Sequence, residues 1–217
     1  MSQLSFHASE LPSRTEYVLN VIKERILNGD FVAGHPLVES DLAADFGMSK
    51  TPVREALKSL HSSGLVIMRP YTGTFVRTIE WADAVSIYEM RLLLEPEAVR
   101  RSVAQGIDVL RAEEALDNAR SATTSSARSL ANRQFHRVMY SRCSNPLLIR
   151  TLEGFSDQAA LVAATAWGAK ATWQDEADEH EALLGAAKKL DAPKASQLIQ
   201  HHISTFIERL VRNSEGA

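Results

Sequence analysis

Three histidines in the second half of the chain stand where imidazoles can do more than hydrogen-bond. Asn132, His136, Met139 and Cys143 follow the i, i+4, i+7, i+11 spacing of one helix face. Trp173, Ala177, His180, Leu184 and Ala187 make a second apolar stripe. Ala195, Ile199, His202 and Phe206 make a third, with His201 turned to the polar side. Any one of these histidines has an ordinary reading as a hydrogen-bonded core residue. Three in one interior are costly, because protonated imidazoles repel and unpaired neutral ones lose hydration. A divalent ion accounts economically for convergent neutral imidazoles. The spacing lacks the local pattern of a zinc finger, so such a site must be assembled by tertiary folding. A three-histidine ion with an open position could also activate water, which makes a metalloenzyme the rival reading. Against it, the apolar helical setting supplies no general base beside the ion.

The first half carries a different chemistry. Between Met48 and Arg77 the only acid is Glu55, against Lys50, Arg54, Lys58, Arg69 and Arg77. That is a local excess of +4 in a chain of net charge −3. Lys50, Arg54, Lys58 and His61 share one exposed helix face, opposite the apolar stripe Val53, Ala56, Leu57 and Leu60. Such a face, N-terminal end leading, can enter a DNA major groove, where Arg or Lys pairs with guanine O6 and N7. Ser49 and Thr51 at its start can meet phosphate. Gly73 would let backbone approach the DNA closely, with Arg69 and Arg77 nearby as phosphate contacts.

The elements that must position these residues are legible. Ser13 to Glu16 fits a capping box, followed by Val18, Val21, Ile22 and Ile26 at helical spacing and a stop at Asn28-Gly29. A short helix runs from about Glu39 to Gly47. Ser49 or Thr51 caps a third helix with Pro52 in its first turn, and Gly64 closes it. Leu65 to Arg69, the turn Pro70 to Gly73, and Thr74 to Arg77 then read as a hairpin. Three helices and a hairpin are the parts of a winged helix-turn-helix. From Glu80 onward the pattern is helical, with breaks near Gly106, Thr123 to Ser126, Asn145-Pro146, Gly168 and Asp191 to Pro193 that divide it into six helices. Pro96 is expected to kink the first of them. The fold class is therefore mainly α. A flexible tail spans 1–10, a winged helix-turn-helix 11–78, and an all-α six-helix bundle 79–217.

The bulk numbers agree with a soluble, two-domain cytoplasmic protein. At 217 residues, with 45% hydrophobic and 24% charged residues, the chain can bury two ordinary cores. Cys143 stands alone, so no internal disulfide is possible, and no leader or membrane-length apolar run is evident. The mild acidity argues against coating nucleic acid by bulk charge, which leaves local recognition by the basic helix.

Leu42 to Leu57, then Gly64-Leu65 and Tyr71 to Val76, closely resemble the GntR family of regulators over about residues 12–78. Glu89-Met-Arg91 with Leu94-Glu95-Pro96, Phe135-His136, Asn145-Pro146, Glu179-His180 and His202-Ile203 resemble the FCD sensor domain of its FadR subfamily. Six helices in a short chain resemble the VanR-like branch. The resemblance implies a repressor that binds double-stranded DNA as a homodimer on a short palindrome, without membrane association. It also implies a metal ion (Zn, Ni or Mn) at the floor of an effector cavity, held by His136, His180 and His202. The family's fourth ligand is an aspartate, where this chain has Asn132: an amide oxygen can coordinate, but without the charge. Arg91, on the stripe Ala84, Ile87, Tyr88, Arg91, Glu95, Ala98, has two readings. It can pair with Glu95 one turn away, or grip an effector carboxylate beside the metal, as a small organic or sugar acid would offer. The family usually has Arg at Lys50 and often at Ser40, so Arg54 is expected to be the main base reader, with Lys50 supporting. A dimeric DNA-binding protein with a purely structural bundle is the alternative to a sensor.

Overall fold

The computed structural model describes residues 12–169 and 173–214, and their side chains except those of 163–169, 173–174 and 213–214. Among these residues α1 (Arg14–Leu27), α2 (Glu39–Asp45) and α3 (Lys50–Ser62) precede a hairpin of β1 (Val66–Arg69) and β2 (Gly73–Val76). Six helices follow: α4 (Trp81–Ala104), α5 (Val109–Ser121), α6 (Ser125–Tyr140), α7 (Pro146–Ala169), α8 (Trp173–Lys188) and α9 (Ala192–Ser214). None of the described helices is long and apolar enough to cross a membrane.

The helix starts follow from side chains that satisfy orphan backbone N–H groups. Ser13 and Glu16 close a reciprocal capping box on α1. Asp108 caps α5, Thr124 caps α6, and Asn145 Oδ1 accepts from the amides of Leu147 and Leu148 ahead of α7. Ser49 precedes α3 at the N-cap position, but its hydroxyl makes no capping bond. Pro96 does not end α4, which continues a further two turns to Ala104. The Pro96 carbonyl is itself used, accepting from Ser196 Oγ on α9 at 3.0 Å.

Two cores form. Val18, Ile22 and Ile26 of α1 meet Val53, Ala56, Leu57 and Leu60 of α3, Leu65 and the hairpin's Val66 and Val76. β1 and β2 pair antiparallel, Val66 opposite Val76 and Arg69 opposite Gly73. The segment before α2 adds an edge to β2: the Gly34 and Leu37 amides donate to the Val76 and Thr74 carbonyls, and the Val76 amide to His35. At the hairpin tip Tyr71 and Gly73 both take positive φ, 61° and 119°, and the Tyr71 ring is fully exposed.

The larger core lies within α4–α9, where α4 packs along α9 and α6 lies between α5 and α7. The cores touch through α7: Ala160 is buried among the winged-domain residues, with Leu130 and Leu161 packed alongside. Gln158 Nε2 donates to the Ser63 carbonyl at 3.0 Å, beside Gly64, whose φ is +74°.

A Cβ at Gly64 would meet Gln158 Nε2 at 2.8 Å in a backbone conformation that L-residues resist. Gly64→Ala is expected to destabilise the protein by roughly 1–2 kcal/mol in urea unfolding. Because the contact is only the end of a flexible side chain, Gln158→Ala should recover little of that loss.

Candidate functional site

The histidine stripes converge. His136 on α6, His180 on α8 and His202 on α9 are all buried, and one ligand nitrogen from each lies within 4.8 Å of the others. His180 Nε2 and His202 Nε2 are 3.3 Å apart. The other faces of two rings are held by carboxylates: His136 Nδ1 donates to Glu95 Oε1 and His202 Nδ1 to Glu179 Oε2, both at 2.6 Å. Each of those contacts fixes the ring and leaves its Nε2 for the common centre. Among the described residues His136 Nε2 is buried with no hydrogen-bond partner, and so is Asn132 Oδ1 on the preceding turn of α6.

Burial keeps two of these rings, His136 and His180, neutral. Burial pushes the His136 imidazolium down to about 4, with nearby Arg91 and His202 adding to the shift and Glu95 opposing it. Burial likewise holds His180 well below the usual imidazole range, reinforced by its two histidine neighbours and Arg91. Glu95 is different. Burial would raise its carboxyl, but Arg91 and His136 outweigh that and hold it well below the usual carboxylate range.

Glu95 receives Arg91 Nε on Oε2 at 2.8 Å while Oε1 holds His136, so three buried groups form one chain, Arg91–Glu95–His136. Arg91 also lies over the Tyr88 ring, 4.9 Å from its centroid. The ion-pair reading of Arg91 is thus realised, whatever further role it has.

The donor set fits a divalent ion. Tetrahedral zinc with Zn–N bonds of about 2.0–2.1 Å separates neighbouring ligand nitrogens by ~3.3 Å, the separation found between His180 and His202. Buried imidazoles, two of them backed by carboxylates, and two buried polar atoms without a partner among the described residues are what such an ion would complete. Among the described residues the space beside Asn132 is small. Cavities of about 30 Å³ and about 10 Å³ flank Asn132, one reaching His180 and Glu176, the other Arg91, His136 and Arg133. The side chains of Trp167 and Trp173 lie outside the described residues.

On the winged domain, Lys50, Arg54, Lys58 and His61 are exposed on one face of α3, and Ser49 and Thr51 are exposed at its start. Arg54 is not a loose side chain. Its Nε lies 3.1 Å from both oxygens of Glu39 on α2, and one Nη is 2.8 Å from Oε2. Lys58 pairs with Glu55 at 2.9 Å, and His61 Nδ1 donates to the Val66 carbonyl at 3.1 Å. Arg69 leans over Phe75, 5.4 Å from the ring centroid, next to the exposed Gly73. Arg77 is turned away from that face, pairing with Asp83 at 2.8 Å and reaching Gln158.

Sequence reasoning did not assign Glu39, nor the ring-holding roles of Glu95 and Glu179. A carboxylate one residue before His180, or one turn after Arg91, was visible; its partner across the bundle was not.

The residues of both regions match known families. Residues 14–76 match the model for bacterial regulatory proteins of the gntR family, and residues 86–205 match that for the FCD domain. The chain is 30% identical to the Nta operon transcriptional regulator of Aminobacter aminovorans over 192 residues, covering 86% of this chain and 90% of that protein. It is 26% identical to the galactonate operon transcriptional repressor of Escherichia coli K12, covering 91% and 97%. A GntR regulator structure from Rhodococcus sp. RHA1 superposes with a TM-score of 0.81 at 24% identity, covering 92% of this chain and 98% of that one. The chain belongs to the GntR family of bacterial regulators and carries an FCD domain behind its winged helix-turn-helix. Its family and relatives are transcriptional regulators, not enzymes.

The buried ion chain gives a direct prediction. Arg91→Met leaves Glu95 with only His136 as partner and should cost about 3–5 kcal/mol in urea unfolding. The double variant Arg91→Met/Glu95→Gln, with both charges gone, should recover most of that loss.

Proposed function

We propose that the protein is a transcriptional repressor whose FCD domain binds a divalent ion and, through it, a small carboxylate that adjusts operator affinity. The observation that carries this reading is the pairing of three converging, buried imidazoles with two atoms, His136 Nε2 and Asn132 Oδ1, that have no partner among the described residues. His136, His180 and His202 would hold the ion, with Asn132 as a fourth, uncharged ligand. Such an ion supplies a Lewis-acid centre for a carboxylate oxygen. Arg91 lines the same cavity as Asn132, Arg133 and His136 and, while its Nε holds Glu95, is the cation proposed to grip the rest of the effector carboxylate. Because the cavities beside Asn132 are far smaller than the roughly 300 Å³ of a typical ligand pocket, an organic or sugar acid must open them. The galactonate operon of one relative agrees with that class of effector.

The DNA reader is the exposed face of α3. Arg54, held flat by Glu39, is the proposed base-reading fork, with Lys50 and Lys58 beside it, and Ser49 and Thr51 at phosphate. His61, Arg69 and Gly73 of the helix end and wing flank it. Arg77 belongs to the domain boundary rather than to this face. Two copies of the chain in a homodimer would present two such helices to a short palindrome, in the cytoplasm. Without a capping bond from Ser49, the first amides of α3 would be open to phosphate oxygens.

Two experiments test this. Equilibrium dialysis against Zn²⁺, Ni²⁺ and Mn²⁺ should give one ion per chain, lost in His136→Ala and strengthened in Asn132→Asp. No binding by any of the three would remove the metal from the reading. Separately, genomic fragments bound by purified protein should be enriched for a palindrome. Arg54→Ala should weaken binding to that palindrome by about 1–3 kcal/mol while changing binding to random DNA far less.

A further inference from the structure

Asp157, on α7, is almost wholly buried at the boundary between the two domains, at 3% exposure. It is shared by two cations from different places. Lys23 Nζ of α1, in the winged domain, lies 2.5 Å from Oδ2, and Arg133 of α6 pairs with Oδ1. Arg133 is the residue after Asn132, and both line the small cavity that also contains His136 and Arg91. Arg133 Nε is itself buried without a hydrogen-bond partner among the described residues. Around this bridge the backbones are tied as well: Ser129 Oγ of α6 donates to the Ala160 carbonyl at 2.5 Å, and Ala160 sits in the winged-domain core.

We propose that Lys23–Asp157–Arg133 is the relay through which occupancy of the histidine site alters how the winged domain is held. The inference rests on reading His136, His180, His202 and Asn132 as a ligand site. α6 offers Asn132 to that site and Arg133 to the domain boundary from consecutive positions. Drawing the unpartnered Asn132 oxygen toward a bound cation turns the same stretch of α6 that carries Arg133. An anionic effector that enlarges the cavity also meets Arg133 in its wall and competes with Asp157 for the guanidinium. Either event changes the number of cations on a buried carboxylate whose other partner is on α1. An ion pair buried at a packed seam has few intermediate arrangements, so a small shift at α6 becomes a change in the docking of α1. By linkage, whatever the ligand does to α1, DNA held by the winged domain does to the ligand.

The test is hydrogen–deuterium exchange on the full-length protein with and without Zn²⁺ alone, in wild type, Asp157→Asn and Lys23→Met. Lys23→Met leaves the Arg133–Asp157 pair in place and guards against a folding defect in Asp157→Asn. In wild type, Zn²⁺ should slow exchange in α8 and α9 and change exchange in α1 by about threefold or more. Both variants should keep the first response and lose most of the second. An α1 response that persists in both variants overturns the relay. Protection of α8 and α9 without any α1 response in wild type also overturns it, while leaving the ligand site standing. No protection of α8 and α9 in wild type overturns the ligand site and the relay together.

Discussion

The helical domain depends on a carboxylate with almost no exposure to water. Glu95 sits at 1% exposure, and an isolated carboxylate there would be prohibitively costly. Its charge survives because Arg91 neutralises one oxygen and the His136 N–H satisfies the other. That arrangement fixes the His136 tautomer, so Nε2 is the nitrogen left for the centre of the bundle. It also commits Arg91 to the same chain, one helical turn from Glu95 on α4. The orientation of His136 is thus set by a side chain on α4 that supplies no ligand of its own, while His202 is held by Glu179 of α8.

The same logic explains why α6 is central. It contributes His136 to the imidazole cluster, Asn132 to the cavities on either side of it, Arg133 to the domain boundary and Ser129 to α7. Four polar side chains on one helix face three different neighbours, and few of them could move without disturbing the rest. The packing of α7 against the winged domain is correspondingly mixed: Ala160 contributes apolar contact, Gln158 a bond to the Ser63 carbonyl, and Asp157 a shared charge. A boundary so rich in directional contacts has preferred arrangements rather than a continuum of them.

Much of this was legible in the residues, and the parts that were not share a cause. The helices could be read because Ser13, Thr124, Asn145 and Gly64 act on their own neighbours, and because the apolar stripes recur locally. The three histidines could be placed on inward faces for the same reason, and Arg91 with Glu95 because one turn separates them. Glu95 with His136 could not, since 41 positions intervene. Nor could Glu39 with Arg54, 15 apart on different helices, or Lys23 with Asp157, which belong to different domains. The edge formed by residues 34–37 escaped too: it pairs through backbone alone and, around Pro36, carries no strand alternation. Periodicity reveals which face a side chain occupies, whereas its partner across a contact depends on how faces are packed together.

Both working regions use a carboxylate from another helix to aim a functional side chain, yet the physics differs with exposure. Glu95 acts on His136 in the dry interior, where the interaction is strong and removing one member leaves an uncompensated charge. Glu39 acts on Arg54 at the surface, where water and salt screen the pair and its contribution to stability is small. What Glu39 can contribute there is orientation: three contacts hold a flat guanidinium that would otherwise sample many rotamers, so less freedom is lost when a base edge replaces water. Its negative charge also opposes close approach of phosphate beside Arg54, which favours a base edge over the backbone as that side chain's partner. On the proposed reading, affinity for DNA in general would rest on Lys50, Lys58 and the wing, and discrimination among sequences on the Glu39–Arg54 pair.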